Sequence, residues 1–282
     1  MHRNKQNNNP GDFTFLDDTC HISSINHINK KNIDLKIVDD KKQEILMDTQ
    51  YEEITEYELE QILLCLIQII RNLSYSLSNE ALIIKCPKLM NMLYLLFIYS
   101  NVNEMIQNLL DILINLAKNI FLNKSPYSSF ILYKLYLCLI SNNVILSEQS
   151  LECFRLLTLP NGNDSYFDSM STEFLQEIVN LLMNPKSEIR DSALEILYCI
   201  SDQSVQTKTR LAKIDNCISR LVGLICNVSH DNRISKFAAC ILGKLSEIPN
   251  ILNMIMPYEK ELVIAACADE SISKVLLGII SN

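Results

Sequence analysis

The chain has no tryptophan among its 282 residues, and only five glycines, seven prolines and four histidines. So little Gly and Pro argues against an all-β chain, which needs many tight turns. Three of the four histidines, His2, His21 and His27, fall in the first 48 residues. No Cys-x-x-Cys pair, Gly-x-Ser-x-Gly elbow or glycine-rich phosphate loop occurs, so the patterns that announce zinc, acyl-transfer or nucleotide chemistry are missing. The opening run Met1-His2-Arg3-Asn4-Lys5-Gln6 leads into asparagines with no apolar stretch, and no signal peptide is expected. The longest apolar run, Met92 to Tyr99, is far too short to span a bilayer, so no membrane partner is expected. Basic charge is also short: the net charge is -8 and the sequence pI about 5.1. That leaves no counterion-release term for tight unaided binding to DNA. Neither a cofactor nor an enzymatic activity is expected.

What the chain does have is aliphatic residues in a recurring order. Apolar residues make up 48% of it, enough for a continuous core. Ile69-Ile70-Arg71-Asn72-Leu73-Ser74 returns as Ile112-Leu113-Ile114-Asn115-Leu116-Ala117 and Cys153-Phe154-Arg155-Leu156-Leu157-Thr158. Further copies are Ile196-Leu197-Tyr198-Cys199-Ile200-Ser201, Ile241-Leu242-Gly243-Lys244-Leu245-Ser246 and Leu276-Leu277-Gly278-Ile279-Ile280-Ser281. The aliphatic anchor at 73, 116, 157, 200, 245 and 280 advances in steps of 43, 41, 43, 45 and 35. A helical repeat of that length is the mark of armadillo or HEAT arrays. The expected fold is therefore all-α, an armadillo/HEAT-like α-solenoid of about five to six repeats, with each anchor in the core. The ten cysteines are scattered, mostly at core-type positions such as Cys65, Cys138, Cys199 and Cys240, and read as reduced small hydrophobes.

Residues 1–48 are polar and unpatterned, an expected disordered tail. Order is expected from Thr49, where Thr49-Gln50-Tyr51-Glu52 fits a capping box, so that 49–282 form the solenoid. The first helix should run to about Ser74, with Ile54, Tyr57, Leu63, Leu66, Ile70 and Leu73 near one stripe. Pro87 suits the first turn of a helix ending near Tyr99. Met105, Ile106, Leu109, Ile112, Leu113 and Leu116 follow the helical spacing most closely. Ser147 is the expected start of the helix ending near Thr158. Pro160-Asn161-Gly162-Asn163-Asp164 is the clearest turn, and helices are expected over 187–201, 232–246, 259–268 and 270–281, among others.

Candidate chemistry is sparse. Cys217, Cys226 and His230 could supply metal ligands, but nine residues along a helix put the two thiols on opposite sides. The remaining candidate is the inner surface of the solenoid, where regularly spaced polar side chains can hold a peptide. Asn72 and Asn115 occupy one matching position, which later carries Leu156, Cys199, Lys244 and Ile279. Arg71 and Arg155 share the position before it. The last helix carries Val275, Leu276, Leu277, Ile279 and Ile280 around more than one face, so Leu277 and Ile280 are candidates for an end-face contact. The candidate partner-binding set is thus Arg71, Asn72, Asn115, Arg155, Lys244, Leu277 and Ile280.

Taken together, several segments resemble one family. Ile69-Ile70-Arg71-Asn72-Leu73-Ser74-Tyr75 and Lys85-Cys86-Pro87-Lys88-Leu89 look like the opening of the C-terminal armadillo domain of Osa-type ARID subunits of SWI/SNF chromatin remodellers. Ser187-Glu188-Ile189-Arg190-Asp191-Ser192-Ala193, Ile234-Ser235-Lys236-Phe237-Ala238-Ala239 and the ending Ser273 to Ser281 resemble later parts of it. The resemblance covers about 52–282 and departs from the family at Ser76-Leu77-Ser78-Asn79-Glu80, where a different turn is usual, and in lacking an acidic insert before Asn101. It implies a non-catalytic nuclear scaffold whose partners are protein subunits of the remodeller, including its ATPase. No ARID domain lies ahead of the repeats, which agrees with weak direct DNA binding. A peptide-binding armadillo adaptor outside chromatin is the alternative.

Overall fold

Each repeat is built because no single helix here can cover its own apolar stripe. The computed structural model describes residues 55–226 and 232–281. The expected tail, the Thr49 capping box and the His230 turn lie outside these. A capping box is found at Thr55: its Oγ1 accepts from the Glu58 amide at 3.2 Å, and the Glu58 carboxylate accepts from the Thr55 amide at 2.9 Å. It opens helix α1 (Glu56–Ser74). From Glu60 onward the chain is one compact unit.

Five repeats follow α1. The first is α2 (Leu77–Ile84), α3 (Pro87–Tyr99) and α4 (Asn103–Leu116), and the second is α5 (Ser128–Leu139) and α6 (Val144–Leu157). The third is α7 (Asp164–Asp168), α8 (Thr172–Leu181) and α9 (Ser187–Ser201), and the fourth is α10 (Val205–Ala212), α11 (Cys217–Cys226) and α12 (Asn232–Ser246). The last is α13 (Pro249–Ile255), α14 (Glu259–Ala268) and α15 (Glu270–Ile280). Among the described residues there is no strand. With α1 as the closing helix of a leading unit, this is the all-α solenoid of five to six repeats that the spacing predicts.

Local sequence sets the boundaries. Pro87 and Pro249 sit in the first turns of α3 and α13, where a missing N–H costs nothing. The structure corrects the start of α6. Asn143, not Ser147, is its cap: Oδ1 accepts from the amides of Ile145 at 3.1 Å and Leu146 at 3.3 Å. Ser147 lies inside the helix and donates back to the Leu139 carbonyl at 2.7 Å. Helices α2 and α7 are additions to the sequence reading. Between α4 and α5, two 3-10 turns take the place of a first helix, and Asn163 anchors them. It is buried, accepts from the Leu122 amide at 2.8 Å, and donates to the carbonyls of Ile120 at 3.0 Å and Leu157 at 2.9 Å. Gly162 precedes it at φ +109, a conformation open to glycine.

The small residue that closes four of the six copies of the motif has a definite job. Ser74, Thr158, Ser201 and Ser246 are buried, and each hydroxyl donates to the carbonyl three residues earlier at 2.7–2.8 Å. Each satisfies a carbonyl left over at a helix end. The anchor before it is fully buried at Leu116, Leu157, Ile200 and Leu245.

The two ends break the rule. Leu73 is 49% exposed and Ile280 is half-buried, so neither is the core anchor that the repeat predicts. Tyr57 and Leu66, also expected on the buried stripe of α1, are exposed, and Ile67 is the buried aliphatic instead. The reason is geometric. Met105, Leu109, Ile112 and Leu116 of α4 stand one repeat after Ile62, Leu66, Ile69 and Leu73, and α3 packs against α4. Among the described residues no helix stands in that relation to α1.

No single described helix is long and apolar enough to cross a membrane, and α2 and α3, apolar together, meet at 91°. Truncating Leu116 to Ala should cost about 2–5 kcal/mol, as for a buried leucine whose site cannot collapse. Leu73→Ala should cost less than about 1 kcal/mol because that side chain is half solvated. Urea denaturation of both variants checks the pair, and equal losses would mean that the two anchors are equivalent after all.

Candidate protein-binding surface

The third helices α4, α6, α9, α12 and α15 lie side by side in sequence order, and α1 joins the row through side-chain bonds to α4. This row carries the candidate residues. Polar side chains bridge neighbouring helices at a separation close to the repeat length. Gln68 donates to Glu104 at 3.2 Å. Arg71 donates to Asn108 at 2.5 Å and stands 3.8 Å from the Asp111 carboxylate. Asp111 in turn accepts from Gln149 on α6 at 2.6 Å.

The strongest bridge is at Arg155. Its Nε and one terminal nitrogen donate to Glu152 at 2.7 and 2.6 Å, and the other donates to Glu195 on α9 at 2.6 Å. The Glu152 hydrogen bond, reinforced by Glu195, raises the guanidinium pKa against the opposing effect of burial. Lys186 pairs with Glu148 beside it. Next along the row, Arg233 stands 3.6 Å from Asp191. Lys244 lies 3.1 Å from the Asp202 carboxylate, with its ammonium 3.5 Å from the centre of the Tyr198 ring. Tyr198 meets Phe237 edge-on with centroids 5.6 Å apart. Between α12 and α15 the bridge becomes steric: a Cβ on Gly243 would lie 3.1 Å from Val275 Cγ1, so glycine permits the close approach.

The sequence candidates therefore divide. Arg71, Arg155 and Lys244 face their neighbours in the row and are engaged within the chain. Asn115 spends its amide on Ser74 Oγ at 2.8 Å. Asn72 is exposed and held only by a 3.5 Å contact from Arg71, so the two asparagines do not form matching free rungs. Leu277 is 48% exposed on α15, while Leu276 and Ile279 are buried and Ile280 is half-buried. Sequence reading missed the acidic partners Asp111 and Glu195. Each lies forty residues after its arginine, so pairing charges at the repeat period would have found them.

Between α6 and α9 the surface opens into a cavity of about 290 Å³. Val144, Leu151, Leu181 and Ile189 contribute its apolar lining, and Glu148 and Lys186 its charged part. Cys217 is buried, which pushes its thiol up to about 12, while Cys226 on the same helix is exposed. Among the described residues no group of three or more His, Cys, Asp or Glu side chains is placed to hold a metal ion.

A row of third helices, each tied to the next, defines an armadillo-like α-solenoid. No family model matches the chain, and no curated protein matches it significantly. Solved structures do resemble it. A designed armadillo repeat protein is 16% identical with a TM-score of 0.63, over 79% of this chain and 93% of that one. A computationally designed armadillo repeat protein for modular peptide recognition is 15% identical with a TM-score of 0.64, over 80% and 94%. A third designed armadillo repeat protein, in complex with the peptide (KR)4, is 17% identical with a TM-score of 0.60, over 82% and 95%. At such identities the likeness is one of fold.

A double-mutant cycle on Arg155→Ala and Glu195→Ala should give a coupling of about 0.5–1 kcal/mol, modest because both side chains retain solvent access, and smaller at high salt. Chemical denaturation at two salt concentrations measures it. A coupling of zero would mean that the bridge does not fasten α6 to α9.

Proposed function

We propose that this chain is a non-catalytic protein-binding scaffold, and in finer detail a nuclear scaffold subunit of a SWI/SNF-type chromatin remodeller that holds core subunits and the ATPase on its solenoid surface. The finer part comes from the sequence resemblance over about 52–282. The observation that carries the scaffold reading is the bridging of successive third helices. Arg155 is hydrogen-bonded to Glu195 of α9, Arg71 to Asn108 of α4, and Lys244 is ion-paired with Asp202 just after α9. A surface closed on itself in this way favours a rigid support over a mobile clamp. Direct DNA binding is not part of the reading, given the net charge of -8.

The second reading is a peptide-binding armadillo adaptor. The exposed Asn72 and the open cavity between α6 and α9 favour it. Affinity purification of the full chain from nuclear extract decides between them. The scaffold reading expects a SWI/SNF ATPase at near-stoichiometric yield, retained when Val144 and Ile189 in the cavity are changed to Asp and Lys. Recovery of the chain without any remodeller subunit would contradict it.

A further inference from the structure

Two neighbouring helices turn apolar stripes to water in a part of the chain that carries only positive charge. Met92, Leu95 and Tyr99 on α3 and Phe130, Tyr133 and Leu137 on α5 share a 3-4 spacing, and all six are exposed. That spacing puts each trio on one stripe of its helix. The core residues Leu93 and Phe97 of α3, and Leu132 and Leu135 of α5, lie on the opposite sides. Helix α3 packs on α4, α5 packs on α6, and α3 meets α5. Both stripes therefore point away from the row of third helices and form one face.

Exposure alone identifies no partner, but charge does. The chain has a net charge of -8, yet 81–103 and 112–147, which contain α3, α5 and their flanks, hold five lysines and no Asp or Glu. The intervening acids Glu104 and Asp111 belong to α4 and accept from Gln68 and Gln149 along the row. The lysines border the stripes. Lys88 continues the α3 stripe one turn earlier. Lys134 follows Tyr133 and donates to the Ser100 carbonyl, just past Tyr99, at 2.8 Å. Lys124, ahead of α5, has its ammonium 4.4 Å from the centre of the Phe121 ring. At the next repeats the same positions carry Glu173, Gln176 and Asn180, then Asn216, Ser219 and Gly223. The apolar, basic face thus ends at α8 and is not a requirement of the repeat.

We propose that the outer face of α3 and α5 rests on an anionic lipid surface, its apolar side chains entering the headgroup region and its lysines meeting the anionic headgroups. Two features favour lipid over an acidic protein. Every cation here is a lysine, and no arginine lies between Arg71 and Arg155, whereas protein interfaces are rich in arginine and poor in lysine. A lysine lays its methylenes along apolar neighbours while its ammonium reaches the headgroups. The tyrosines, apolar in body with a polar tip, suit the boundary between hydrocarbon and water. The lack of a long apolar helix among the described residues bears on crossing a bilayer, and lying on its surface needs none.

The inference goes beyond the scaffold reading and does not rest on it. Its test is sedimentation of the full chain with vesicles of phosphatidylcholine, alone or with about a third of phosphatidylserine. The chain should bind the anionic vesicles at least about tenfold more tightly, and the preference should shrink at high salt. Tyr99→Asp and Phe130→Asp should each weaken that binding by at least about tenfold, with melting temperatures unchanged. Val205→Asp, at an exposed position on α10, should leave it intact. Either face variant can be read if the other misfolds, and the lipid preference of the unaltered chain needs neither. Equal affinity for the two vesicles, binding to neither, or binding that both face variants retain would overturn the proposal. Binding of a soluble acidic amphipathic peptide that both variants abolish, with no binding to anionic vesicles, would assign the face to a protein and reject the lipid surface.

Discussion

The constraint on which this structure depends is that no repeat can bury its apolar stripe alone. A third helix such as α9 is apolar on the side of α8 and must also meet α6 and α12. Burial of Ala193, Ile196, Leu197 and Ile200 is complete only because those neighbours exist. Stability in such an array is close to a sum of repeat terms and nearest-neighbour terms. The hydroxyl that closes four of the motif copies and the side chains that bridge successive helices work at the two levels. Ser201 finishes α9 by bonding back to Tyr198, whereas Arg155 fastens α6 to α9. Neither makes sense in an isolated helix.

Much of this was legible from residues. The anchors Leu116, Leu157, Ile200 and Leu245 repeat at a near-constant step, and a constant step fixes which side of each third helix is buried. Boundaries at 187–201, 232–246 and 259–268 follow from apolar spacing flanked by polar breaks. What could not be read was context. Leu73 and Leu116 look alike in sequence, yet among the described residues α3 packs against α4, which carries Leu116, and no helix stands in that relation to α1, which carries Leu73. Asn163 looks like an ordinary turn residue, but its three hydrogen bonds tie the turn to Ile120, Leu122 and Leu157, a relation that no local pattern encodes. The candidate residues were legible as a row, and the acidic partners of its arginines were not. Asp111 and Glu195 each lie forty residues on in the same chain, beyond the reach of a local pattern.

Charge fastens the row at several points. Arg155 is hydrogen-bonded to Glu152 and Glu195, Arg71 to Asn108, and Lys244 stands 3.1 Å from the Asp202 carboxylate. Apolar side chains are exposed all along the described chain, among them Leu66 on α1, Phe130 on α5, Ile145 on α6 and Leu277 on α15.

The central claim, that stability resides in nearest-neighbour packing along the row of third helices, is tested most directly by native-state hydrogen exchange on the full chain. The account predicts the slowest exchange in α6, α9 and α12, with protection in α1 and α15 lower by at least about 1 kcal/mol, because among the described residues these two helices each meet a third helix on one side only. Protection in α1 equal to that in α9, or a minimum in the middle of the row, would contradict it.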